Sequence, residues 1–146
     1  GAVVYVLCEL SQALLTYSRA GGAEGNVTLT LEQTSSIARG GGDADAGSKA
    51  GELLLAPDGS AVYASNRGAQ NTITAFAVGP SGRLARTVQV DAPAFPRGMA
   101  FVPFARGPVL VVAGQSEGVL ATYRALPSGG LEATHQRLSG DALPPF

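Results

Sequence analysis

Five polar side chains in this sequence have the chemistry of an anion-binding site. A guanidinium can donate paired hydrogen bonds to a planar carboxylate or to a phosphate. A nearby glutamate could act as a general acid or base. Alternatively, arginines and glutamates could pair only with one another and hold neighbouring elements together. The five residues are Glu9, Glu52, Arg67, Arg97 and Gln115.

The four charged side chains among these five stand out because charged residues are scarce in the chain. Of its 146 residues, 14% are charged and 45% are hydrophobic, and the net charge is -1. So small a net charge argues against nucleic acid or an anionic membrane surface as a partner. No apolar run approaches the roughly 18 residues that cross a bilayer. The composition predicts a folded domain with its own core.

The stretch AVYASNRGAQNTITAF, residues 61–76, indicates how one of the five side chains is positioned. Alternation typical of a strand stops at Asn66, Arg67 and Gly68 and resumes at Thr72. Glycine adopts backbone angles that other residues avoid, so Gly68 suits a sharp turn. Arg67 is therefore predicted to lie at the end of a strand, beside a tight turn.

The same pattern of strands recurs along the chain. Three matched pairs lie 47 residues apart, namely Phe76 with Tyr123, Gly82 with Gly129, and Leu84 with Leu131. Arg67 matches Gln115 at an offset of 48, so one extra residue is expected in the connecting turn, where insertions are tolerated. An earlier copy aligns Tyr5 with Tyr63 and Glu9 with Arg67.

The repeat predicts the architecture. Each copy contains short β-type runs that are separated by turn residues such as Asp58 and Gly59. Four strands in about 47 residues are typical of a β-propeller blade, whereas a sandwich or a closed barrel does not predict the repetition. We therefore expect an all-β fold, a partial β-propeller of about three blades built from four-stranded antiparallel meanders. The approximate blades are residues 1–48, 49–95 and 96–146, and the first lacks its innermost strand.

Three blades are too few to close a ring, because propellers typically have four to eight. An open stack would leave an apolar blade face uncovered at each end. The expected partner is therefore a second polypeptide, or a second copy of the chain, that completes the propeller.

The blade geometry brings the five polar residues to one face. In an antiparallel meander, the first strand of a blade begins at the face where the second strand ends. The second strands are predicted to end at Glu9, Arg67 and Gln115, and the first strands to begin near Glu52 and Arg97. These side chains should therefore converge at the mouth of the central channel.

Other motifs carry little functional signal. Residues 40–52, GGGDADAGSKAGE, superficially resemble a phosphate loop but have the wrong order of glycine, lysine and serine, and we interpret them as a flexible loop. The single cysteine, Cys8, and the single histidine, His135, provide no thiolate or imidazole cluster for a metal. Asn26 begins a glycosylation sequon, which keeps secretion open.

Several stretches together resemble the seven-bladed β-propeller lactonase family, which includes bacterial 6-phosphogluconolactonases and fungal carboxy-cis,cis-muconate cyclases. The stretches are YVLCEL at 5–10, GELLLAPDGSAVYASNRG at 51–68, PRG at 96–98 and LVVAGQ at 110–115. They are similar to about the last three blades of that family, and the resemblance extends over nearly the whole chain.

The resemblance implies a channel site for a lactone that bears a carboxylate or a phosphate. Glu9 and Arg67 match active-site residues of the family, while Glu52, Arg97 and Gln115 are expected to bind substrate at the rim. It implies no metal and no cofactor, and either hydrolysis or cyclisation. The family also uses a histidine and another arginine from earlier blades, and His135 does not match that histidine. The alternative is a non-catalytic binding or assembly module. The expected location is cytoplasmic.

Overall fold

The computed structural model describes residues 2–21, 26–105 and 107–139, without the side chains of Ser128 and His135. Strands dominate this part of the chain, together with two short 3-10 turns at Arg39–Gly41 and Pro127–Gly129. The strands are β1 (Ala2–Cys8), β2 (Ala13–Gly21), β3 (Val27–Ser36), β4 (Ser48–Leu55), β5 (Ala61–Gly68), β6 (Thr72–Val78), β7 (Leu84–Asp91), β8 (Pro96–Val102), β9 (Val109–Gly114), β10 (Val119–Leu126) and β11 (Gly130–Ser139).

These strands form three antiparallel sheets, which confirms the all-β partial propeller. The first sheet contains β1, β2 and β3, the second β4 to β7, and the third β8 to β11, each in chain order. In the first sheet Val4 pairs with Tyr17, as Val62 of β5 pairs with Phe76 of β6. Strand β1 is therefore equivalent to the second strand of a blade, and among the described residues the first blade lacks its innermost strand, as expected.

The repeated residues occupy equivalent places in the second and third sheets. Phe76 and Tyr123 are both buried, at 1% and 3% exposure. Gly82 and Gly129 both have positive φ, at 76° and 77°, which glycine adopts without steric cost. A side chain at Gly129 would also meet the preceding sheet, because its Cβ would lie 3.0 Å from Ala77 Cα. The repeat therefore preserves both the turn and the close approach of one blade to the next.

Two apolar cores lie between the sheets, and alternate residues of β5 contribute to each. Val62 and Ala64 pack in the core shared with the first sheet. Tyr63 packs in the core shared with the third sheet, where its ring meets Phe101 edge-on at 5.6 Å. Because both faces of β5 are covered, its side chains from Ala61 to Asn66 are all buried.

One expectation about the connection between the first and second sheets is wrong. Strand β4 begins at Ser48 and not near Glu52, so the loop occupies residues 37–47. Several hydrogen bonds are formed by this loop. The Asp45 carboxylate accepts hydrogen bonds from the Gly47 amide and from Ser48 Oγ, both at 2.9 Å. Gln12 Nε2 donates to the Asp45 carbonyl at 2.6 Å and so attaches the loop to the first sheet.

Candidate active site

The ends of the strands place the predicted residues on one face of the stack. Glu9 follows β1, Arg67 is the penultimate residue of β5, and Gln115 follows β9. Arg97 is the second residue of β8. Because the strands of each meander are antiparallel, these ends share the face at which β4 and β8 begin.

Arg67 and Glu9 form an ion pair between the first and second sheets. Arg67 Nη2 donates to Glu9 Oε1 at 2.8 Å. The backbone supports the pair, because Ala50 N donates to the Glu9 carbonyl at 2.9 Å while Arg67 Nε donates to the Ala50 carbonyl at 3.2 Å. The Arg67 side chain is only 13% exposed, whereas that of Glu9 is 55% exposed. The Arg67 side chain is therefore largely buried where the first and second sheets meet, whereas the Glu9 carboxylate faces solvent.

The path of the Arg67 side chain depends on Gly51 in β4. A Cβ at Gly51 would lie 3.6 Å from Arg67 Cδ, 2.6 Å from Ser65 Oγ and 2.7 Å from the Pro96 carbonyl. Ser65 is fully buried at this point and links two sheets. Its hydroxyl donates to the Pro96 carbonyl at 2.9 Å and accepts from the Glu52 amide at 2.8 Å. Only a residue without a side chain fits position 51.

An aromatic ring also contacts the Arg67 guanidinium. The guanidinium carbon lies 5.1 Å from the centre of the Phe95 ring, a cation–π distance. Sequence reasoning missed Gly51, Ser65 and Phe95. The available signals were the glycine that begins the GELLLAP stretch, the serine that begins SNRG, and an aromatic residue directly before PRG.

The other predicted residues do not join this ion pair. Glu52 lies inside β4, in an irregularity between Ala50 and Leu53, and not at the start of the strand as expected. In the part of the chain that the structure describes, the Glu52 carboxylate has no ion-pair partner. Its position is set through its amide, which donates to Ser65 Oγ.

Arg97 and Gln115 form a separate group on the third sheet. Arg97 lies in the equivalent irregularity of β8, between Pro96 and Gly98. Both side chains line a cavity of about 500 Å³ together with Ala113, Gly114 and Val119. Within the described part of the chain, Gln115 is connected to the Arg67 group through its amide alone, which donates to the Phe95 carbonyl at 3.1 Å. The structure therefore brings together two pairs of predicted residues, Glu9 with Arg67 and Arg97 with Gln115.

A buried polar network supports the strand end that carries Arg67. Asn66 is 0% exposed, and its Nδ2 donates to Gln12 Oε1 at 3.0 Å and to Gln70 Oε1 at 3.3 Å. Gln12 Nε2 in turn donates to the Ser48 carbonyl at 3.0 Å. These bonds connect the first sheet to the second next to the ion pair. They fix the backbone at the end of the strand that carries Arg67.

The described residues contain neither a metal-binding cluster nor a membrane-spanning helix. No group of three or more histidine, cysteine, aspartate or glutamate side chains there could hold a metal ion. Cys8 is a free, half-buried thiol. The described chain has no helix that is long and apolar enough to cross a membrane.

Three antiparallel meanders packed against one another, with polar residues at the strand ends of one face, define a partial β-propeller. The family described as "Lactonase, 7-bladed beta-propeller" matches residues 1–142. The chain therefore belongs to the seven-bladed β-propeller lactonase family, and this resemblance is confirmed.

Solved structures agree with this assignment. The chain is similar to the periplasmic gluconolactonase of Pseudomonas aeruginosa, with 31% identity and a TM-score of 0.79. It is also similar to a candidate 6-phosphogluconolactonase of Bacteroides uniformis, with 29% identity and a TM-score of 0.76. Each match covers 97% of this chain and 38% of the other protein. The chain thus spans well under half the length of these relatives. No curated protein is similar enough to count as a match.

Proposed function

We propose that this chain carries part of the active site of a lactonase that acts on a lactone bearing a carboxylate or a phosphate. The Glu9–Arg67 pair is the observation that carries the proposal. A guanidinium held at three points and an exposed carboxylate 2.8 Å away provide an anion-binding group next to a proton-transfer group. The names of the two similar proteins support a sugar lactone as substrate.

Arg67 is the binding and charge-stabilising group in this mechanism. Its Nε is used by the Ala50 carbonyl and its Nη2 by Glu9, and no described residue accepts a hydrogen bond from Nη1. Nη1 is therefore available to the carboxylate or phosphate of a substrate, or to the oxyanion that forms at the lactone carbonyl. Because its neighbours already hold the guanidinium in place, Arg67 needs little reorganisation during the reaction.

Glu9 is the proton-transfer group. In hydrolysis, a water oxygen attacks the lactone carbonyl carbon while Glu9 accepts a proton from that water. The ring C–O bond then breaks, and the proton passes to the departing ring oxygen. In the muconate alternative, a substrate carboxylate oxygen adds to a carbon–carbon double bond, and protonated Glu9 delivers its proton to the adjacent carbon. Glu52, Arg97 and Gln115 are proposed to contact substrate at the rim.

A completed ring is part of the proposal, because both outer sheets have uncovered apolar faces. Val27, Leu29 and Leu31 alternate along β3 and are between 46% and 52% exposed. The free face of the third sheet carries an open cavity of about 910 Å³, whose lining includes Val111 and Leu120. Apolar faces of this kind bind other protein surfaces. We propose that a second polypeptide or a second copy covers them.

The same apolar faces favour a second candidate function, a non-catalytic binding or assembly module. Native mass spectrometry on undenatured material separates the possibilities. A particle well above 14.7 kDa that contains a second polypeptide supports a completed catalytic ring. A stable monomer removes most of the support for an enzyme. The cytoplasmic location stays a prediction, and one similar protein is periplasmic.

Lactone hydrolysis by variants of the full chain tests the catalytic roles. Arg67→Ala should lower kcat by about 10²–10³, the loss typical for one oxyanion donor. Glu9→Gln should lower it by about 10²–10⁴. Arg124→Ala is the control, because Arg124 pairs with Glu132 at 3.6 Å, outside the site. A lower melting temperature with unchanged turnover in Arg67→Ala would show that the ion pair only joins the sheets.

A further inference from the structure

Phe95 has an unusual backbone conformation for an aromatic residue. Its φ is 60°, in the left-handed region that suits glycine and that bulky side chains rarely enter. Gln12 is the other non-glycine residue with positive φ in the described chain. Such conformations persist when surrounding structure enforces them, and they cluster at functional sites.

Hydrogen bonds on both sides hold Phe95 in this conformation. Its amide donates to Asn71 Oδ1 at 2.8 Å, and its carbonyl accepts from Gln115 N at 3.1 Å. The same Asn71 side chain binds the turn after Arg67. Asn71 Oδ1 accepts from the Gly68 amide at 3.1 Å, and Nδ2 donates to the Gly68 carbonyl at 2.8 Å. One asparagine therefore couples the Phe95 backbone to the end of the strand that carries Arg67.

The strained conformation directs the ring onto Arg67. The ring centre is 5.1 Å from the guanidinium carbon, and the Phe95 side chain is only partly buried. A glycine at this position would have no strain and no ring. The guanidinium therefore has three partners, which are the Phe95 ring near its carbon, the Ala50 carbonyl at Nε and Glu9 at Nη2. No described residue accepts a hydrogen bond from Nη1.

We propose that Phe95 is a positioning residue for Arg67, which orients the guanidinium plane for a substrate anion. The assignment deepens the proposed lactonase function and rests on it for its catalytic consequence. Its structural part, the orientation of Arg67 by the ring, can be measured without any activity. The two parts can therefore fail separately.

The structural part is tested by NMR on the full chain, through the Arg67 Nε–H resonance. That resonance is identified by its absence from Arg67→Lys. Stacking on the ring predicts an upfield displacement, which Phe95→Leu and Phe95→Gly should abolish and Phe95→Tyr should retain. Phe95→Gly suits the left-handed backbone, so it keeps the fold while removing the ring. Phe101→Leu is the control, because it removes a ring that contacts Tyr63 and not Arg67.

Lactone hydrolysis by the same variants tests the catalytic consequence. Loss of the ring should lower kcat/KM by about tenfold, with kcat changing more than KM, and Phe95→Tyr should restore it. An Arg67 resonance that does not move in Phe95→Leu and Phe95→Gly overturns the assignment. A resonance that moves in a completed ring without lactonase activity supports the orientation of Arg67 by Phe95 and overturns the proposed function instead.

Discussion

Replacing Gly51 with alanine should destabilise the protein, although alanine normally improves a strand. Glycine inside a strand costs about 0.5–1 kcal/mol relative to alanine, so the substitution begins with a gain of that size. Gly51 does not have positive φ, and backbone strain therefore does not enter. The new Cβ, however, would lie 2.6 Å from Ser65 Oγ and 2.7 Å from the Pro96 carbonyl, both closer than real Cβ contacts.

The penalty exceeds the gain. Forcing a methyl group into a packed site costs about 1–3 kcal/mol. Moving the Ser65 hydroxyl also weakens its bond to Pro96 or to Glu52, at about 1 kcal/mol for each bond lost. The net expectation is a loss of about 1–3 kcal/mol in the free energy of unfolding.

Denaturant titration of the full chain measures this change, and Gly98→Ala is the matched control. Gly98 lies in β8, the equivalent strand of the third sheet, and the nearest atom to its Cβ would be Ala113 Cβ at 3.9 Å. Alanine at Gly98 should therefore be neutral or slightly stabilising. Equal stability of the two variants would refute the argument that close approach of Ser65 and Pro96 requires glycine at position 51.

Two further predictions concern pH. Burial raises the pKa of Tyr123 to about 12, and its hydroxyl donates to the Asp91 carbonyl at 2.9 Å. The stability that the neutral Tyr123 hydroxyl provides is therefore fully present below pH about 10 and is lost as pH rises through its folded pKa. In Tyr123→Phe, the free energy of unfolding should not show this alkaline loss. Hydrogen bonds from the Gly47 amide and Ser48 lower the pKa of Asp45. Its contribution is present above pH about 4 and is lost below it, so Asp45→Asn should unfold with a weaker acid dependence, measured by circular dichroism.

The sequence predicts the blade pattern well because the blade repeats its physical constraints. Phe76 and Tyr123 recur because the same inter-sheet space must be filled, and Gly82 and Gly129 recur because the same turn needs positive φ. The missing innermost strand of the first sheet could be read from Glu9, which aligns with a position at the end of a second strand. Local alternation and turn chemistry suffice for these features.

The start of β4 was not predictable from alternation. Residues 47–51, GSKAG, have the composition of a loop, and yet Ser48 to Ala50 pair with β5. Small residues are needed there because the first and third sheets both approach β4. Ala50 N donates to the Glu9 carbonyl of the first sheet, and a Cβ at Gly51 would lie 2.7 Å from the Pro96 carbonyl of the third sheet. Neighbouring sheets require small side chains at these positions, and such a requirement does not produce a periodic pattern in the sequence of β4.

The partners of Arg67 were predictable only in part. The repeat placed Glu9 and Arg67 at equivalent strand ends, and their pairing was one of the two alternatives that the residue types allowed. The contribution of Phe95 could not be inferred, since its left-handed backbone is produced by hydrogen bonds to Asn71 and Gln115, which are distant in sequence. The Asn71 bond depends on how the second and third sheets meet, and the Gln115 bond extends the pairing of β8 with β9.

The three equivalent strand-end positions suggest how a repeated fold acquires a single site. The blade geometry presents one side chain at each such position, and here they are an acid, a base and an amide, at Glu9, Arg67 and Gln115. The middle side chain reaches the preceding sheet and is stacked by Phe95 from the following connection. Gln115 has no equivalent contact with Arg67, and faces a cavity with Arg97 instead. Under the proposed function, this asymmetry of side chains on a repeated backbone gives the fold a single anion-binding position.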